Sequence, residues 1–284
     1  MANWFPDDIT YFDLIKAFVP PLAGALAGAL AAQSIAARNK RYDDQVKELG
    51  FIGMTAALAY GVTEAFIGVK KGNIRPMFDH WDADRRRREE TLRSVPRSVT
   101  STFEFDADFR TLTPVKAGVD QLRALMYGNI RLETRAIALM GALDRCVDQH
   151  ANIIAENNRL VAKFEADDLT AEALAARLFG LRVGTRVDDR YPTTIRALYS
   201  GTDDCIMFSR LLGDELVEHG KRLSPKVPKE RRGSYVVADF TRAEREGLMP
   251  NAEDYSDWLP ATRVAILPAS LWHRIKGTMR TLSE

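Results

Sequence analysis

The chain has 284 residues, with 40 Lys and Arg against 39 Asp and Glu and 46% hydrophobic residues. That balance excludes a disordered chain, a globally basic nucleic-acid binder and a polytopic transporter. The length allows one large domain or two small ones, and two cysteines, Cys146 and Cys205, are too few for a disulfide framework.

The first signal along the chain is residues 17–37, which carry no charge. About 20 apolar residues cross a bilayer core. Asp7, Asp8, Asp13 and Lys16 precede the run, and Arg38, Lys40 and Arg41 follow it. Basic residues stay on the cytoplasmic side, so the expected topology is a single pass, N-terminus out, with the C-terminal domain cytoplasmic. A cleaved signal peptide would carry its basic residues first. Trp4, Phe5, Tyr11 and Phe12 stand where an interfacial aromatic belt would stand. Pro20 and Pro21 suit a first helical turn, so the spacing predicts a helix starting there. Residues 8–18 are then an interfacial amphipathic piece. The competing reading is a buried, alanine-rich helix of a soluble protein.

Gly24, Gly28 and Ala32 repeat every fourth residue. Small residues at that spacing let helix backbones approach closely in lipid, which makes them candidate helix-association residues. A second apolar run, residues 49–69, has Glu64 as its only charge. As a second span it would force one of two basic groups outside: Arg38, Lys40, Arg41 and Lys47, or Lys70, Lys71 and Arg75. A buried cytoplasmic helix avoids that conflict.

Residues 77–95 predict a polar helix ended by Pro96, with Asp82 and Asp84 set to pair with Arg86 and Arg88. Its run Arg85 to Arg88 would meet acidic lipid headgroups only if held near a membrane. Residues 98–113, with Phe103, Phe105 and Phe109, read as a connector with room for a short strand. From about residue 115 to 164 the pattern is helical, with a break near Tyr127, Gly128 and Asn129. Met140, Val147, Ile154 and Val161 form one heptad row, and Leu143, His150, Asn157 and Phe164 the other. His150 and Asn157 are polar positions in that seam. A polar seam residue costs stability and fixes register, whether the helix pairs with a second copy or packs within the chain.

Thr170 predicts the cap of a helix over 171–181 with Gly184 past its end, and another helix follows over about 192–223. Pro225, Pro228 and Gly233 then bracket a basic patch, Lys226, Lys229, Arg231 and Arg232. It lacks the interleaved aromatics of single-strand binders, which argues against nucleic acid as a partner. Short strands near 234–240 and 263–267 and a last helix over 269–282 complete the expectation.

No motif for metal, phosphate or nucleophilic chemistry occurs, so no cofactor, metal or catalytic residue is assigned. Asp144, Cys146, Asp148 and His150 are ligand types, but residues two apart on a helix do not share a face. The expected fold class is all-α. A single transmembrane helix over 1–40 leads to a cytoplasmic bundle of long, coiled-coil-like helices over 41–223, and a basic loop and C-terminal segment over 224–284 packs on it. The expected function is that of a membrane-anchored, cytoplasm-facing interaction or regulatory protein. Its partners would be the bilayer and a protein, or a second copy, engaged through the transmembrane and long helices. Alternatives are a membrane-active effector that oligomerises through its N-terminal helices, and a soluble enzyme without a sequence signature.

Overall fold

The computed structural model describes residues 11–94, 104–106, 108–183, 185–232 and 237–255, and for residues 11–23 and 183 the backbone course. The protein is all-α. Helix α1 (Tyr11–Val69) passes through a π-helical turn, Lys70–Ile74, directly into α2 (Arg75–Ser94). Then come α3 (Val119–Asn129), α4 (Thr134–Ala166), α5 (Ala171–Phe179), α6 (Arg190–Leu223) and the short α7 (Thr241–Arg245). The only sheet among the described residues is a hairpin of two-residue strands, β1 (Arg182–Val183) and β2 (Arg186–Val187).

The framework is α1 lying antiparallel to α6, with α4 packed on α6. The register reads off the side-chain pairs. Glu48 is near His219, Tyr60 donates to Asp214, Thr63 meets Ser209, Lys70 meets Asp203, and Arg196 lies over the Trp81 ring. Along α1 the core-facing residues Ile52, Ala56, Ala59, Phe66 recur at helical spacing and are buried. Glu64 is exposed on the opposite side. The apolar run 49–69 is therefore a core helix continuous with the first, and no hairpin turn separates them: residues 38–48 are helical throughout.

Several local expectations are corrected. The first helix runs through Pro20 and Pro21 instead of starting there, and residues 11–18 belong to it. Two adjacent prolines remove only two consecutive ladder donors, so helix on both sides survives. The expected boundary at residue 40 lies inside the same helix. The helical pattern over 115–164 is two helices, parted at residues 130–133, just past the expected break near Tyr127, Gly128 and Asn129. Helix α5 is capped by Thr170, whose Oγ1 accepts from the Ala173 N–H at 3.2 Å. It ends at Gly180, not at Gly184. Gly180 has φ +64°, and the Leu181 N–H closes the turn onto the Ala176 carbonyl at 2.8 Å. Residues 237–240 are not strand but lead into α7. Described residues 104–106 and 108–113 form a connector without strand. The expected strand at 263–267 and helix at 269–282 lie outside the described residues, as do Trp4, Phe5 and Phe103.

The π turn has a local cause. Pro76 lacks the N–H that an α-turn would donate, and the helix widens just before it, with the Arg75 N–H reaching back to the Lys70 carbonyl. The widening leaves both Lys70 and Ile74 buried.

Two apolar clusters fill the bundle. One joins α1, α3, the first half of α4 and the second half of α6, and takes in Val227 and Phe240. The other joins Ile74, Met77 and Trp81 to the second half of α4 and the start of α6.

Candidate functional site: an apolar arm, its base and a polar layer

Every described side chain from Gly24 to Arg41 is exposed, and the first buried one from Gly24 onward is Leu49. Leu26, Leu30 and Ile35 are 66%, 59% and 60% exposed. The first part of α1 is thus an apolar arm reaching beyond the bundle. Gly24 and Gly28 have nothing within 4 Å of where a Cβ would stand. With Ala32, also exposed, they leave the small-residue stripe unpartnered among the described residues.

One helix near the N-terminus is long and apolar enough to cross a membrane, but its qualifying eighteen-residue window is 44% buried in the bundle. That window falls on the core-facing run 49–69, because residues 24–41 bury nothing. The apolarity of 49–69 is accounted for by the core; that of 24–37 is not. Monomers in water rarely leave a contiguous apolar surface of more than a few hundred Å² uncovered.

At the arm's base the structure joins two distant segments. Helix α6 ends at Leu223, and the loop after it turns back against α1, with Val227 buried in the core. Arg231 Nη1 sits 3.0 Å from Asp43 Oδ1, and Arg232 Nε donates to the Val227 carbonyl at 2.9 Å. Lys226, Lys229, Arg231 and Arg232 are all exposed there. The other arginine run, Arg85 to Arg88, lies at the opposite end of the bundle. Three of its four charges are tied down: Arg85 and Arg86 pair with Asp82, and Arg87, not Arg88, takes Asp84.

Between the two apolar clusters runs a polar layer. Lys70 Nζ is 2.5 Å from Asp203 Oδ1, donates to the Leu248 carbonyl at 3.1 Å and lies 4.8 Å above the Tyr199 ring. Burial holds the Asp203 carboxyl above its ordinary range and outweighs the opposing pull of Lys70. On the residue before Asp203, the Thr202 hydroxyl donates to the Leu198 carbonyl at 2.6 Å, so it accepts from His150 Nε2 at 3.0 Å. That bond selects the Nε2-protonated neutral imidazole, and burial pushes the His150 pKa down to about 4. Phe66 meets the His150 ring edge-on at 5.3 Å. Asp204 accepts from the Tyr255 hydroxyl at 2.8 Å, tying the last described segment to α6.

The second seam residue, Asn157, donates to the Arg110 carbonyl at 3.3 Å, within the chain, while its Oδ1 is buried without a partner. Its neighbour Asn158 holds the connector more firmly, accepting from the Leu112 N–H and donating to the Leu112 carbonyl, both at 2.8 Å. Asn158 lies off the heptad rows, so periodicity gave it no weight. Lys70 was missed for a related reason: at the edge of an apolar run it reads as a flanking charge, and only the π turn rotates it inward.

Among the described residues no three His, Cys, Asp or Glu side chains converge as a metal site would require. Asp144 faces Arg123, whereas His150 points into the core. Burial raises both thiols, Cys146 to about 12 and Cys205 further, so neither is a thiolate near neutral pH. Comparison with protein-family models, with curated proteins and with solved structures finds no match for this chain.

Proposed function

We propose that the protein is a membrane-anchored helical scaffold, with the arm over residues 17–37 as its single span and the bundle on the cytoplasmic face. The observation that carries the reading is the apolar arm, whose described side chains from Gly24 to Ala37 are all exposed and which is covalently continuous with a core helix of the bundle. Twenty-one residues at 1.5 Å rise reach about 31 Å, the thickness of a bilayer core. In water that surface is uncovered; in lipid it is solvated. The acidic flank before the arm and Arg38, Lys40 and Arg41 after it support the orientation. With no helix break between arm and core, a partner held by the bundle is held at a set attitude to the membrane. Gly24, Gly28 and Ala32 give the span a face for association with a second helix.

Membrane fractionation of the full chain and of a version lacking residues 1–40 tests this. The full chain should sediment with membranes, resist salt and alkaline extraction, and need detergent for release; the shortened version should stay in the supernatant. A full chain that is soluble without detergent at high expression defeats the reading.

A further inference from the structure

The chain as a whole is nearly neutral, but its charge is not evenly spread over the bundle. Residues 38–47 and 221–232 together hold ten basic residues against three acidic ones; Lys221 pairs with Glu218 and Arg222 with Glu133 and Glu215, so the unpaired charge rests on the others. The two stretches lie far apart in sequence, and the antiparallel run of α1 and α6 brings them together where the arm leaves the bundle. Arg231 on Asp43 and the burial of Val227 hold the loop there. Asp43 is six residues beyond Ala37, so the loop sits about 9 Å along the helix from the end of the apolar run. That is about one Debye length at physiological salt, and within one at about 0.1 M. Arg38, Lys40, Lys226 and Lys229 are exposed, and none has an ion-pair partner among the described residues. By contrast the arginine run at the far end of the bundle is largely neutralised by its own carboxylates.

We propose that residues 38–47 and 221–232 form a basic collar at the foot of the membrane arm that docks on anionic phospholipid headgroups of the adjoining leaflet. The proposal rests on the arm being a span, and it adds a lipid preference that a bare span lacks. The collar surrounds the helix where it would enter the headgroup layer. Each Lys or Arg held at an anionic surface strengthens association by about fivefold. Four of the ten basic residues, Lys226, Lys229, Arg231 and Arg232, come from a loop whose position depends on the folded bundle, so headgroup contact also favours the folded state.

The test uses the full chain, reconstituted from detergent into a mixture of phosphatidylcholine vesicles and denser vesicles that also contain phosphatidylglycerol. The wild type should be enriched at least tenfold in the anionic vesicles at low salt, and high salt should abolish the preference. The variant Arg38→Gln, Lys40→Gln, Lys226→Gln, Lys229→Gln should insert as well but distribute evenly. In the wild type, a membrane-impermeant amine reagent should label Lys226 and Lys229 several-fold more slowly on anionic than on neutral vesicles. Insertion without any preference overturns the collar and leaves the span standing. Failure to enter either vesicle overturns both. A preference that survives in the variant refutes the residue assignment, and loss of the anionic preference when an RNA oligonucleotide is present during reconstitution would make nucleic acid the occupant.

Discussion

Lys70 is 1% exposed, and its ammonium is held by Asp203, the Leu248 carbonyl and the face of Tyr199. Removing one member of a buried pair leaves the other charge uncompensated, which costs about 3–5 kcal/mol. Lys70→Met should therefore lower stability by that order, while Lys70→Met with Asp203→Leu recovers most of the loss, as thermal unfolding of the two variants in detergent would show. A double variant as unstable as the single one would mean that the Leu248 contact, not the ion pair, supplies the stability. His150 gives the layer a pH dependence. Its pKa falls from an ordinary value near 6.5 to about 4, because burial disfavours the imidazolium. Between those values the unfolded chain binds a proton that the folded chain does not. The His150 contribution is thus complete above about pH 6.5 and declines as pH falls towards 4, by an upper bound of about 3 kcal/mol. His150→Gln, which keeps a donor for Thr202, should flatten the stability profile across that window. An unchanged profile would assign the acid sensitivity to other groups.

At the scale of elements, the approach of α1 to α6 is set by a glycine. A Cβ on Gly213 would stand 2.5 Å from the Tyr60 ring, whose hydroxyl donates to the neighbouring Asp214 at 2.8 Å. Gly213→Ala gains helix propensity of about 1 kcal/mol but must push the ring out of a packed site at a cost of about 1–3 kcal/mol. Net destabilisation is expected, and Gly213→Ala combined with Tyr60→Leu should be milder than Gly213→Ala alone; denaturation midpoints of both decide it. The helices themselves were largely legible in the sequence. Thr170 as a cap and the seam Met140, Leu143, Ile154, Val161, Phe164 lead to α5 and α4 because these signals are local; the end expected of α2 at Pro96 lies outside the described residues. The misplaced ends were misread for equally local reasons. Either Gly180 or Gly184 is a permissible stop on sequence, and Gly180 takes the left-handed conformation that ends the helix.

For the whole molecule, the arm and the core helix are one rod with two environments, and substitutions in the two parts should separate them. Leu26→Arg places a charge in the exposed arm, where the bundle loses nothing, but a charge near the middle of a span costs about 2.5–3.5 kcal/mol on insertion scales. Membrane retention should fall while the unfolding temperature of the detergent-solubilised bundle stays unchanged. Ile52→Arg, in contrast, puts the charge at a fully buried core position and should unfold the bundle wherever the arm resides. Equal retention of Leu26→Arg and wild type would show that another part of the chain carries it to the membrane.

Composition and periodicity by themselves determined the helical class, most of the helices and the presence of two apolar runs. These follow from backbone propensity and from the 3.6-residue repeat, both readable within a few turns of chain. Only the tertiary structure decided which run lies in the core and which stands uncovered, since Ala, Leu and Gly serve a bundle interior and a bilayer alike. It also decided the polar layer and the basic collar. Lys70 and Asp203, or Asp43 and Arg231, are neighbours only because α6 returns antiparallel along α1, and no local rule of sequence encodes which residues that return brings face to face.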